Sequence, residues 1–378
     1  MTVLDRQRLD AIAQECGIAA IGVTTAEPFE DLGDLLTNRI QAGHQTGLDW
    51  FNEDRARFSA NPGNLHPTGR SIISVGVPYR LKNVACPDDE PRGKISRYAW
   101  GDDYHRTLKH RMHAVHAALE HELGRVIEAR FLVDTARIVD RAVAARSGLG
   151  WYGKNTMILV PGHGSWVLLG DMIVDIEIEP DTPLRPKCGR CTMCIDHCPT
   201  GALQPGYIVE TPRCISYLTI ELRGAIPVEL RPLLGRWVFG CDDCQEICPY
   251  TGAAKRDDDS AFAPRAIENA FPRLRWLLTM TDAEFRETYR GTAVLRAKRS
   301  GIARNAAVAL GNSGNDDDLE LLELVVSSHD LPLVRGHAAW AMRRINPLAA
   351  EPFLERQLDI ETDQSVRTEL IPVLEDIG

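Results

Sequence analysis

Eight of the ten cysteines stand at spacings that suit metal ligation. Cys188, Cys191, Cys194 and Cys198 read C-x-x-C-x-x-C-x-x-x-C and close on Pro199. Thiolates spaced this way wrap three corners of an iron-sulfur cubane in one tight loop, and the fourth, three residues on, points to a second cluster. Cys241, Cys244 and Cys248, followed by Pro249, repeat the pattern with one cysteine missing, and Cys214, 27 residues upstream, completes the count. The crossover of ligands then assigns Cys188, Cys191, Cys194 and Cys248 to one four-iron cluster and Cys198, Cys214, Cys241 and Cys244 to the other. Zinc is the competing reading, but zinc sites are built from two C-x-x-C pairs or with histidine, and a triple run ending in C-P fits them poorly. Cys16, on the apolar face of a helix, and Cys86, in a polar loop, have no ligand spacing and read as ordinary thiols.

Other motifs invite chemistry and lose it on context. Gly148-Leu149-Gly150-Trp151-Tyr152-Gly153 matches G-x-G-x-x-G and, with Lys154, nearly spells a P-loop. A nucleotide loop follows a strand and opens a helix, whereas RAVAARSG before it reads as helical and Asn155 stands where Ser or Thr is needed. Asp103-x-His105 resembles the start of a cobalamin-ligating motif, but the glycine expected three residues later is Leu108. Asp134 closes a strand-like FLVD; an apolar setting would raise its pKa and suit a general acid. The pattern by itself favours a helix cap.

These residues need a scaffold. The chain has 378 residues, 44% of them hydrophobic, which is material for two or three packed cores. No run is long and apolar enough for a membrane helix, and the N-terminus lacks an apolar signal core, so a cytoplasmic, membrane-free protein in a reducing compartment is expected. A helix from Leu4 to Cys16 precedes a strand in IAAIGV, with further strands at 71–79, 129–134 and a pair within 156–175 turning at Pro161 to Gly164. His105 to Leu123 reads as a long helix, and the proline-rich 180–187 as a hinge. The phrases RNAAVALG (304–311) and RGHAAWAMRRI (335–345) lie about 31 residues apart and suggest HEAT-type helical repeats, against an ordinary helical tail. The expected layout is an α/β domain over 1–180, a small ferredoxin-like two-cluster domain over 181–255 and a HEAT-like helical domain over 256–378.

Set side by side, VDTARIVDRAVAARSGLGWYGKNTMILVPGHGSWVLLGDM, CGRCTMCIDHCPTGAL, CISYLTIE and GRWVFGCDDCQEICPY closely resemble the epoxyqueuosine reductases over nearly the whole chain. The resemblance implies reductive removal of the epoxide oxygen from epoxyqueuosine at the tRNA wobble position, the last step of queuosine synthesis. It also implies cobalamin and two 4Fe-4S clusters, a distant relation to reductive dehalogenases, and Asp134 as the proton donor. Tyr104 and Arg141 become substrate contacts. Arg57, Asp134, Lys154, Asn155, Met157, Ser216 and Gly240 become cobalamin contacts. The family usually reads VDTAP where this chain has Val133-Asp134-Thr135-Ala136-Arg137, so the backbone after Thr135 is expected to differ.

The net charge of -10 argues against a generally basic surface, yet residues 260–305 hold nine basic residues against four acidic ones. A solvated helical face would look the same. Beside the cluster segment, the island suits RNA phosphates, with Arg296, Lys298 and Arg299 as candidate contacts. The expected partners are tRNA carrying epoxyqueuosine and an electron donor protein or reductant, with the chain a monomer. A reductive dehalogenase would ordinarily carry a twin-arginine signal, and a simple ferredoxin-like carrier would not need about 180 residues before its first cluster cysteine.

Overall fold

The computed structural model describes residues 5–81, 84–256 and 259–371. Leu4, the expected start of the first helix, and 257–258 of the acidic loop lie outside the described residues. The chain divides into two units, neither contiguous: 1–82, 102–214 and 242–263 form the first, and 83–101, 215–241 and 264–378 the second. The segment expected to bind both clusters is therefore shared, with 215–241 assigned to the helical unit. No helix among the described residues is long and apolar enough to cross a membrane.

The first unit mixes helices with a four-stranded sheet in the order Ala20–Thr25, Ser71–Pro78, Val167–Val174, Ala129–Leu132. Every pairing is antiparallel, which departs from the α/β opening read from the sequence. Ser71–Pro78 is buried at every position because it has a strand on each side and covered faces, so it reads as a continuous apolar run without alternation. The expected pairing within 156–175 does not form as one hairpin. Ile158–Leu159 pairs instead with Trp151–Tyr152, while Val167–Val174 runs into the main sheet.

The Tyr104–Leu123 helix is capped by the Asp103 side chain, which accepts from His105 N, and ends at Gly124 in the left-handed conformation. Leu108, Met112, Val115 and Leu119 recur on one face and are buried. The helix approaches the sheet closely, since a Cβ on Gly170 would lie 3.2 Å from Met112 Cε. Its N-terminal residues Tyr104 and His105 are thereby fixed relative to the strand leading to Asp134. The glycines of Gly148–Gly153 let backbone approach backbone: a Cβ at Gly148 would come within 2.6 Å of Thr182 O, and one at Gly150 within 2.7 Å of Leu159 O. A tight hairpin, with no phosphate cradle, accounts for them.

In the second unit, Trp237–Phe239 pairs in parallel with Lys94–Ile95. The Lys298–Ser313 helix packs on Pro332–Ile345, which packs in turn on Leu319–Ser328 and Gln364–Leu370. Small residues set the first crossing: a Cβ on Gly311 would lie 2.8 Å from the Trp340 ring and 2.9 Å from Ala341 Cα. Arg304, fully buried in the Lys298–Ser313 helix, donates to the carbonyls of Leu218, Leu222 and Gly224, and Asn305 donates to those of Thr219 and Val238. This pair joins the helix to both segments that it packs on.

Candidate functional site

Asp134 sits two residues past the end of its strand, in a turn with φ +43, a conformation that costs a non-glycine residue energy. The next helix starts only at Asp140, preceded by Val139, so Asp134 caps nothing. Its Oδ2 accepts from Tyr104 Oη at 2.7 Å and lies 3.3 Å from His105 Nε2. His105 Nδ1 in turn lies 2.8 Å from Asp103 Oδ1. One imidazole thus bridges two carboxylates, with Tyr104 stacked beside it at 4.2 Å between ring centres.

The electrostatics follow from that bridge. Burial opposes a charge on His105, but Asp103 and Asp134 outweigh it and push its pKa up to about 9. A histidine pKa raised on folding contributes stability that is full below the ordinary value near 6.5 and lost as pH climbs through about 9. The surrounding protein would raise the pKa of Asp134, but hydrogen bonds from His105 and Tyr104, and the charges of His105 and Arg141, hold it below the usual carboxylate range. This corrects the sequence-based rationale of an up-shifted carboxyl. At neutral pH the proton resides on His105, with its Nε2 3.3 Å from the carboxylate.

Asp134 lines an open cavity of about 870 Å³ in the first unit, together with Arg141, Tyr152, Thr156 and the aromatic side chains of Trp50, Phe51 and Tyr207. Arg141 is anchored through its Nη1 to Thr156 O at 3.0 Å. Asp140, also in the wall, has its pKa raised to about 7 by burial and then by the Asp134 charge. Asp171, fully buried in the central Val167–Val174 strand, is pushed well above the carboxylate range by burial and by Asp140. The cavity lining is more apolar than polar, which suits a bulky ligand, and of the expected cobalamin contacts only Asp134 stands in it.

None of the ten cysteines is paired in a disulfide. Burial, then the neighbouring thiols of Cys248 and Cys188, push the Cys194 pKa up to about 11, so three of the four cysteines assigned to one cluster are gathered together. Cys244 is raised by burial and then by Cys214, Asp242, Cys194 and Cys198, which brings three members of the other set together. Crowded thiols resist ionising one by one, and a cationic iron-sulfur core relieves that repulsion, so the donor set fits two clusters. Cys241 leads out of the Trp237–Phe239 strand in the second unit. Lys154 Nζ donates to Gly189 O at 2.8 Å and Cys191 O at 2.9 Å, tying down the first cysteine loop. Asn155 is buried; its Oδ1 accepts from Met157 N at 3.2 Å and its amide faces Cys244 O at 3.5 Å.

The remaining expected residues are more dispersed. Arg57 is exposed and pairs with Glu53 one helical turn away. Ser216 and Gly240 belong to the second unit, where Gly240 has φ +69 and donates its N–H to Thr219 Oγ1 at 2.9 Å. Of the basic island, Arg299 is only 8% exposed and paired with Asp282 and Asp330, and Arg296 donates through Nε and Nη2 to the two carboxylate oxygens of Glu221. Lys298 is exposed. Sequence reasoning passed over the pairing of Asp103 with His105, having weighed them only as a cobalt motif. It also passed over Asp140 as a buried acid, and Asp171. A single carboxylate inside WVLLGDMIV was the available signal for Asp171, because a lone charge in a buried strand demands a reason.

Comparison with known proteins agrees with this geometry. Residues 187–251 match the family described as a 4Fe-4S double cluster binding domain, and residues 60–135 the family described as epoxyqueuosine reductase QueG. The chain is 36% identical over 374 residues to an epoxyqueuosine reductase of Staphylococcus aureus, covering 98% of this chain and 96% of that one. It is 36% identical to the Escherichia coli enzyme, over 89% of this chain and 88% of the other. A crystal structure of an epoxyqueuosine reductase with an epoxyqueuosine-modified tRNA-Tyr stem loop superposes with TM-score 0.89 at 33% identity, covering 97% of this chain and 96% of that one. A Bacillus subtilis structure, described with its aspartate catalytic loop swung out of the active site, has the same TM-score, identity and coverage. At 36% identity over most of its length to these enzymes, the chain belongs to the epoxyqueuosine reductase family.

Proposed function

We propose that this protein reduces epoxyqueuosine to queuosine in the tRNA anticodon, and that Asp134 delivers a proton to the departing oxygen. The observation that carries the reading is the Asp103–His105–Asp134 chain at the wall of the cavity, in a member of this family. Removing the epoxide oxygen as water takes two electrons and two protons. Cobalamin, when bound, supplies a low-potential cobalt nucleophile. The two cysteine sets would hold the clusters, whose chemistry would be to pass on electrons from an external donor, and the cavity walled by Asp134 would hold the bulk of the cobalamin.

This chain's own groups manage the proton. His105 stores it, Asp103 keeps the imidazole oriented, and Asp134 passes it on as bound substrate excludes water; Tyr104 fixes the carboxylate and Arg141 faces the substrate. In this reading residues 1–180 serve cofactor and substrate, 181–255 contribute the cluster ligands, and 256–378 form a HEAT-like scaffold. That scaffold view rests on the alternating helix packing. The protein works as a cytoplasmic monomer, and with Arg296 and Arg299 engaged internally, Lys298 becomes the leading phosphate contact of its island.

Anaerobic reconstitution should give about eight irons per chain, from two four-iron clusters; a stable zinc-only protein would sink the cluster assignment. Asp134→Asn should retain clusters and tRNA affinity while single-turnover reduction of epoxyqueuosine falls on the order of 100-fold or more. A near-normal rate would remove Asp134 as the acid. Because His105 holds the shared proton up to about pH 9, the wild-type rate should decline only above that value. In His105→Gln the carboxyl stands alone and loses its proton at much lower pH, so the alkaline limb should move down by several pH units; an unmoved limb would refute the store. Finally, Lys298→Glu should weaken tRNA binding and flatten the dependence of log K on log salt by about one phosphate contact, whereas an unchanged slope would place the RNA elsewhere.

A further inference from the structure

The Asp134 turn is strained, and several ties hold it. Asp134 N donates to Asp140 Oδ2 at 3.1 Å. Arg55 donates to Ala136 O at 3.0 Å and reaches Thr135 O at 3.3 Å. Arg137, at the position where the family usually has proline, lays its guanidinium 3.8 Å over the Phe58 ring. Of these, only Asp140 binds the backbone of Asp134 itself, and it does so with an acid that is itself in an unusual position.

Behind Asp140 lies Asp171, fully buried and paired in register with Ser74 on one side and Leu132 on the other. The Asp140–Arg146 helix packs on that same strand. Asp140 Oδ1 and both carboxyl oxygens of Asp171 are buried without a well-formed hydrogen bond among the described residues, and the Ser74 hydroxyl, likewise unsatisfied, faces Asp171 from the neighbouring strand. Three orphaned oxygens on two neighbouring aspartates would be costly if both were ionised, because each would be desolvated and each would repel the other. One proton held between the two carboxyls removes both costs, as in other carboxyl dyads.

We propose that Asp140 and Asp171 form a buried acid pair that shares one proton and latches the Asp134 turn in its working conformation. Asp171 and the shared proton occupy Asp140 Oδ1, which leaves Oδ2 as a fixed acceptor for Asp134 N. The other groups facing Asp140 are Asp134, Arg141 and Tyr152, with Arg55 across the turn. Arg141 favours the ionised oxygen and Asp134 opposes a second charge, so the pair settles at one negative charge. Both acids have pKa values above the ordinary range, so folding stability falls as pH rises from that range through about 7, where Asp140 ionises; the proton left on the pair is held by Asp171 to higher pH, and the latch outlasts that step. Asp140 is thus a positioning residue acting through Asp134, and the proposal rests on Asp134 being the acid.

Two measurements on the full chain separate the possibilities. Amide hydrogen exchange of the peptide spanning 133–137, in protein without substrate, reads the latch without reference to turnover. Asp140→Ala should lose most of that protection, whereas Asp140→Asn should keep it, because an amide oxygen accepts from Asp134 N and the amide NH2 donates to Asp171 as the shared proton did. Single-turnover reduction should fall on the order of 10- to 100-fold in Asp140→Ala, the scale of a misplaced catalytic group, with Asp140→Asn restoring most of it. The infrared band of a buried protonated carboxyl, present in wild type at neutral pH, should disappear in Asp140→Asn. Unchanged exchange in Asp140→Ala overturns the latch, and a persisting band overturns the shared proton. If instead Asp134→Asn reacts normally while Asp140→Ala loses protection, the latch stands and the assignment of the acid fails.

Discussion

A carboxylate beside an imidazolium is a poor acid when taken alone, and the architecture of the first unit turns on resolving that conflict. The 3.3 Å ion pair between His105 and Asp134 lowers the pKa of the carboxyl while raising that of the ring, so the proton stays beside the carboxylate proposed to use it. Making that contact needs a helix N-terminus and the end of a strand to meet within a few tenths of an ångström. Asp103 helps in two ways: its carboxylate caps the Tyr104–Leu123 helix and accepts from the imidazole. The apolar face of the same helix, through Leu108 and Met112, clamps it onto the sheet. Packing thereby sets the distance and electrostatics sets the proton.

The same logic, that like groups forced together must share something positive, recurs elsewhere in the unit. Burial and the neighbouring thiols raise the pKa of Cys194 and of Cys244, a repulsion that an iron-sulfur core relieves. Burial and the Asp140 charge raise the pKa of Asp171, and burial and the Asp134 charge raise that of Asp140, which a proton relieves. In each place the fold carries an unfavourable concentration of one kind of group because a small cation is part of the intended assembly. Lys154, clamped to the carbonyls of Gly189 and Cys191, adds rigidity to the cysteine loop without neutralising any thiolate directly.

Local rules made some of this legible from the chain alone. Cluster spacing is a property of a few consecutive residues, so the C-x-x-C runs could be read directly, as could the Tyr104–Leu123 helix from its cap and periodicity. The antiparallel order of the sheet and the partner of Ile158–Leu159 depend on contacts between distant segments, and periodicity carries no information about which strand lies beside which. Asp134 lies just past the end of a strand, as FLVD suggested, but in a different environment from the one expected. An apolar approach through FLV suggested desolvation, whereas the nearest groups come from a helix thirty residues earlier in the chain.

Charge counting failed for a related reason, one that the second unit makes plain. A guanidinium carries five donors in a planar fork, so an arginine can be buried if backbone carbonyls surround it. Arg304 does this against Leu218, Leu222 and Gly224. Arg231 does it against Ile226 O while pairing with Glu369. Arg299 is withdrawn from solvent by Asp282 and Asp330, which are separated from it in sequence and close to it in space. Each of these residues adds to the formal charge of its stretch and little to the potential at the surface. A basic run in a helical array therefore reports first on how the helices are tied to their neighbours, and only the part left exposed, such as Lys298, bears on what the surface can attract.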